Sequence, residues 1–69
     1  MGDSMFFYDE NILHVGNFKK VLYVENELII ILLIKKRLEI YGNNLLIVEL
    51  NDDELYIQGE IKEVDIKDE

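Results

Sequence analysis

Residues 38–59 read LEIYGNNLLIVELNDDELYIQG, and the reading of this stretch decides the fold. It holds two phrases of one form, Leu38-x-Ile40-x-Gly42 and Leu55-x-Ile57-x-Gly59, on either side of an apolar run at 45–50. Alternate residues of a strand point to one face, so Leu38 with Ile40, and Leu55 with Ile57, each mark a buried face. Each glycine falls where a turn or bulge calls for a backbone without a Cβ. Asn43 and Asn44, and the run Asn51, Asp52 and Asp53, are turn formers, because short polar side chains bond the local backbone and tolerate left-handed conformations. The stretch is therefore expected to give three strands of an antiparallel meander.

The rest of the chain adds strands to this centre. Residues 12–15 form a short strand stopped by Gly16 and Asn17; residues 18–24 form the next, and 25–27 a turn. Residues 28–34 are a continuous apolar strand running into Lys35, Lys36 and Arg37, which read either as a turn or as the start of the strand holding Leu38. After Gly59, the positions Ile61, Val64 and Ile66 break alternation by one residue, and a bulge near Lys62 or Glu63 would restore the face. The two glycine phrases lie 17 residues apart, which suggests a duplicated hairpin. Strands recurring at roughly 8–12 residues with short polar turns predict an all-β fold. The expected architecture is a small antiparallel meander, a curved sheet or small sandwich, of about six or seven short strands. A helix over 27–38 is the competing reading, since a short apolar run suits either state. The domain is expected at 12–66, with 1–11 a flexible leader whose Phe6, Phe7 and Tyr8 suit an open end of the sheet, and 67–69 an acidic tail.

Composition bears on how such a fold is stabilised. Ile, Leu and Val make up 25 of 69 residues, a content that favours strands, and there is no Ala, Pro, Thr, Cys or Trp. A chain this short buries only roughly 60% of the surface it exposes when unfolded, so small domains lean on disulfides, metals or partners. Without cysteine, and with the single His14 lacking a companion at ligand spacing, no disulfide, metal or cofactor is expected. Self-association remains. Residues 28–34 and 45–48 are apolar on both strand faces, whereas a two-layer protein buries one. At about 1.5–3 kcal/mol per large apolar side chain, leaving several exposed costs more than a marginal domain can spare. Leu28, Ile30, Leu32, Ile34, Leu46 and Val48 are thus the candidate self-association residues of an expected homo-oligomer.

Charge narrows the partners. The net charge is −8, with +3 over residues 18–37 and −7 over residues 49–69. Phosphate binding needs a basic footprint, so DNA is not expected as a partner and RNA is disfavoured. Lys35, Lys36 and Arg37 are the candidate contact for a membrane or partner; as a plain charged turn they would keep an apolar strand soluble. The acidic end is either a solvated face or a surface that meets the basic middle of another copy.

Candidate chemistry is sparse. The only Ser is Ser4, and His14 has no partnered nucleophile, so no catalytic residue is assigned. Asp52, Asp53 and Glu54 lack the spaced ligands of a calcium loop, and Gly16, Gly42 and Gly59 stand singly rather than as a phosphate loop. Tyr8, Tyr23, Tyr41 and Tyr56 recur without interleaved bases, a poor stacking platform for single strands. No stretch has the form of a secretory signal, and the run 28–34 is far short of the ~20 apolar residues of a spanning helix, so the chain is expected in the cytoplasm.

Residues 38–45, LEIYGNNL, followed by 54–61, ELYIQGEI, resemble the YabP/YqfC sporulation protein family of endospore-forming bacteria. Leu38, Ile40, Gly42, Asn43 and Leu45 match the family's first phrase, and Leu55, Ile57 and Gly59 its second; the likeness extends over about residues 12–66. It implies a non-enzymatic structural or adaptor protein in endospore formation, made in the mother cell, associated with assembly of the spore's outer layers and docking on a membrane protein partner at the forespore. Two other classes stay open on the residues themselves: a small Sm-like β-barrel RNA-binding protein, and an enzyme subunit or ligand-binding module.

Overall fold

Two strands of 15 residues each, β5 (Lys36–Leu50) and β6 (Glu54–Asp68), form the spine of the molecule in a computed structural model that describes residues 5–9 and 11–68, with side chains from residue 11 onward. Four five-residue strands complete it: β1 (Met5–Asp9), β2 (Ile12–Gly16), β3 (Lys20–Val24) and β4 (Leu28–Leu32). All pair antiparallel in one six-stranded sheet of order β1-β2-β6-β5-β4-β3. The fold is all-β, and no helix forms among the described residues, so the apolar run at 27–38 is strand and turn.

The turns fall largely where the sequence put them. Glu25 N donates to Leu28 O at 2.8 Å around Asn26 and Glu27, and Asn51 N donates to Glu54 O at 2.7 Å around Asp52 and Asp53. Between β4 and β5, Leu33 N donates to Lys36 O at 2.7 Å, and Lys35 takes the left-handed conformation at φ 65°. The exception is Asn43 and Asn44. Expected to turn the chain, they sit inside β5 as a bulge, with Asn44 at φ 55° and the register slipping between Asn43 and Leu46. Pairing with β6 resumes beyond them. Residues 38–42 and 45–50 are thus one strand and not two, and 54–58 and 60–66 are likewise one; the expected number of strands holds, but two of them are long. A bulge lets a strand bend without ending.

Both glycines of the repeated phrase explain how the long pair bends. A Cβ on Gly42 would collide with the backbone carbonyl of Glu60, and one on Gly59 would lie 2.7 Å from Asn44 O and 3.0 Å from Leu45 Cα. Gly59 also has φ 142°, a conformation that side chains disfavour. Each strand therefore presses its backbone into the gap left by the other's glycine. A further bulge lies at Lys62, where Tyr41 pairs with Glu63 but Gly42 pairs with Ile61, as the broken alternation of Ile61, Val64 and Ile66 required.

Bending divides the sheet into two faces that meet over one core. The first half of β6 pairs with β2 through residues 54–58, while the first part of β5 pairs with β4 through residues 37–41. Laid flat, β2 and β3 would be four strand spacings apart, about 19 Å. Their link, residues 17–19, reaches at most about 14 Å from Gly16 to Lys20. Curling closes that gap, and the link is pinned by Asn17 N to Asp53 O and Lys19 N to Leu32 O, both 2.7 Å. The core then collects buried residues from β2, β4, β5 and β6, namely Leu13 and Val15, Ile29 and Ile31, Leu38, Ile40 and Leu45, Leu55 and Ile57, joined by Leu33 from the turn after β4, with the half-buried Val21 of β3 packed against them.

The sheet runs past the expected 12–66 domain at both ends. Met5–Asp9 pair with β2 from Gly16 to Ile12, and Lys67 and Asp68 pair with Arg37 and Lys36. The leader's aromatic side chains and Ser4 lie outside the described residues.

Candidate functional site

The residues of the repeated phrase are structural. Leu38, Ile40, Leu55 and Ile57 are fully buried, Leu45 nearly so, and Gly42 and Gly59 form the bend. Asn43 sits at that bend and reaches Glu60 Oε1 at 3.3 Å or, with its amide turned, Lys62 Nζ at 3.1 Å.

The candidate self-association residues separate into two sets. On β4, alternation sends Ile29 and Ile31 into the core and Leu28, Ile30 and Leu32 to the opposite face, where they are half-buried. The register sets Leu28 beside Tyr41, Ile30 between Tyr23 and Glu39, and Leu32 between Lys20 and Arg37, so long side chains of the same chain flank this row. Ile34, in the turn, is exposed. Leu46 and Val48 are also exposed, at 59% and 45%, and are joined by Leu50 at 57%. Residues 46–50 pair with β6 on one side only; their other side has no strand among the described residues, because β4 stops pairing at Tyr41.

Sequence reading missed a further exposed apolar group, Leu22, Tyr23 and Val24 on the edge strand β3. The register slips between Val21 and Tyr23, leaving Leu22 unopposed by β4. Val24 pairs with the fully buried Ile29 and so belongs to the core face, yet it is 48% exposed. The core layer ends uncovered at this strand. No signal in the sequence separates an edge strand from an inner one here, since residues 20–24 are as apolar as several buried strands.

The basic turn is partly neutralised within the chain. Lys36 Nζ lies 2.9 Å from Asp68 Oδ1 in an exposed pair. Glu39, the only buried charged residue described, faces the outer side of β5 between Arg37, Tyr41 and Lys67. Tyr41 donates to its Oε1 at 2.9 Å, Lys67 Nζ lies 3.3 Å away, and Arg37 Nε is 3.2 Å from Oε2, close in charge but not aligned as a hydrogen bond. The Tyr41 hydrogen bond, with help from Lys67 and Arg37 and against the cost of burial, holds the Glu39 carboxyl below its ordinary range; the same bond raises the Tyr41 phenol. Across β6, Glu63 is pushed up by its hydrogen bond to Asp65 and by that residue's charge. No cluster of metal-ligating side chains occurs among the described residues. His14 stacks on Tyr56 with ring centres 4.5 Å apart and planes 8° from parallel, a cross-strand aromatic pair.

No family model, no curated protein and no solved structure matches the chain. No helix among the described residues is long and apolar enough to cross a membrane.

Proposed function

We propose that this chain is a non-enzymatic, self-associating structural or adaptor protein, and that, in keeping with its resemblance to the YabP/YqfC family, its assembly serves endospore formation at the spore's outer layers. The observation that carries the reading is the apolar edge at residues 46–50. Leu46, Val48 and Leu50 remain exposed on a stretch of strand that, among the described residues, has a neighbouring strand on one side only. Apolar side chains on a free strand edge favour pairing with another chain. The acidic balance and the engagement of Lys36 and Arg37 by carboxylates weigh against RNA as the partner. A membrane protein at the forespore is the docking partner that the family likeness suggests.

A fluorescent fusion produced in the mother cell of a sporulating endospore-former tests the cellular part. It should collect as a shell or cap around the forespore, and a uniformly diffuse signal throughout sporulation would refute the assignment. Replacing Leu46, Val48 and Leu50 together by serine should disperse the shell while leaving far-UV circular dichroism unchanged.

A further inference from the structure

The edge strand β3 carries its charges in a polar order. Lys19 and Lys20 stand at its start, and Glu25 and Glu27 at its end, all of them exposed. Between them lie Leu22, Tyr23 and Val24, each close to half exposed. Beside the acidic end is an open cleft of about 470 Å³ lined by Tyr23, Glu25, Asn26, Glu27 and Leu28. Among edges whose side chains are described, this one combines uncovered core with charge of opposite sign at its two ends; the second half of β6 is instead studded with Glu60, Lys62, Glu63 and Lys67.

Strand polarity decides what such an edge can accept. A second copy arriving parallel would set lysines against lysines and glutamates against glutamates. Arriving antiparallel about a two-fold axis, it sets the basic start of each strand against the acidic end of the other, and cross-strand charge pairs stabilise only in that arrangement. The faces fix the register. Val21 and Val24 lie on the core face, paired with Ile31 and Ile29, while Lys20 and Tyr23 lie on the outer face, because the slip at Leu22 shifts the alternation by one. Opposing residues must share a face, so Val21 belongs opposite the partner's Val24. That register centres the axis between Leu22 and Tyr23 and brings Lys20 opposite the partner's Glu25. Lys19 then approaches the acidic cleft.

We infer that β3 is a self-complementary docking edge, on which a second copy of this chain pairs antiparallel to extend the sheet from six strands to twelve across a two-fold axis, with Lys20 of each copy facing the partner's Glu25. The inference rests on the self-association proposed above and adds to residues 46–50 a second surface with a defined symmetry. It covers the uncovered side of Val24 with the partner's Val21, and it meets both ends of the strand with opposite charge.

Charge exchange tests it on exposed residues that leave the core untouched. Lys20→Glu sets a glutamate against the partner's Glu25, and Glu25→Lys sets a lysine against the partner's Lys20. Light scattering across a concentration series should show each variant alone dissociating at concentrations about tenfold or more above wild type, a factor of ten corresponding to about 1.4 kcal/mol. An equimolar mixture of the two should recover association to near the wild-type level as a heterodimer. Wild type associated but unaffected by either exchange would overturn the docking edge and leave self-association through another surface, such as residues 46–50, standing. Exchanges that weaken association without recovery on mixing would overturn the antiparallel pairing. A monomeric wild type would overturn both the edge and the proposed function.

Discussion

Replacing Gly59 with alanine adds one methyl group at the point where β5 and β6 bend together, and the geometry sets its cost. The new Cβ would lie 2.7 Å from Asn44 O, 3.0 Å from Leu45 Cα and 3.1 Å from Asn43 O. All three are backbone atoms, so no flexible side chain can swing away. Overpacking of this kind costs about 1–3 kcal/mol. The φ of 142° adds a conformational penalty for a residue with a side chain, on the order of 1–3 kcal/mol. Together the two give about 2–6 kcal/mol, against a total stability of roughly 3–10 kcal/mol for a domain of this length at 0.05–0.15 kcal/mol per residue. Urea unfolding followed by far-UV circular dichroism at fixed protein concentration reads the loss. With a slope of about 1 kcal/mol/M, the midpoint should fall by about 2 M or more, or the variant should be unfolded without denaturant. Gln58→Ala, one residue away and exposed, is the control and should change little. A Gly59→Ala midpoint indistinguishable from wild type would refute the reading of the bend as a mutual close approach of two backbones.

Ile57→Ala, at a fully buried core position, should cost about 2–5 kcal/mol in the same assay, and a loss near zero would contradict the core assignment. Glu39 and Glu63 should respond to pH with opposite sign. The Glu39 carboxyl is held below its ordinary range, so its stabilisation is present above the unfolded value near about 4.3 and is lost as pH falls through the lower folded value; Glu39→Gln should flatten that acid loss. The Glu63 carboxyl is raised beside Asp65, so its contribution is present at acid pH and lost as pH rises through the raised value; Glu63→Gln should remove that decline. Denaturant midpoints measured across acid to neutral pH check both, and parallel profiles for wild type and the two variants would contradict them. Serine at 46, 48 and 50 together should lower the mass in solution without lowering the denaturant midpoint measured at low concentration, whereas a loss of folding would place these side chains in the core instead.

Much of this architecture is readable from particular residues. Leu38 and Ile40, and Leu55 and Ile57, announce buried faces by strict alternation, and the slip at Ile61, Val64 and Ile66 calls for a bulge near Lys62 or Glu63, which the structure places at Lys62. Asn43 and Asn44 mislead for a physical reason. A left-handed asparagine serves a bulge as well as a turn, and what decides is whether the partner strand supplies a glycine at the same height, as β6 does with Gly59. The outer row on β4 was legible as apolar but not as half-buried, because the cover from Tyr41, Arg37 and Tyr23 depends on strand register. The exposure of Leu22, Tyr23 and Val24 was not legible, since an edge is defined by strand order and the short link at 17–19 sets that order through the curl of the whole sheet.

The proposed function requires that another chain cover the exposed apolar side chains of these strand edges. Sedimentation equilibrium of the wild-type protein over the micromolar range tests this most directly. A mass of at least twice the 8.2 kDa of one chain, falling on dilution, is the predicted result. A constant 8.2 kDa at every concentration would contradict the account.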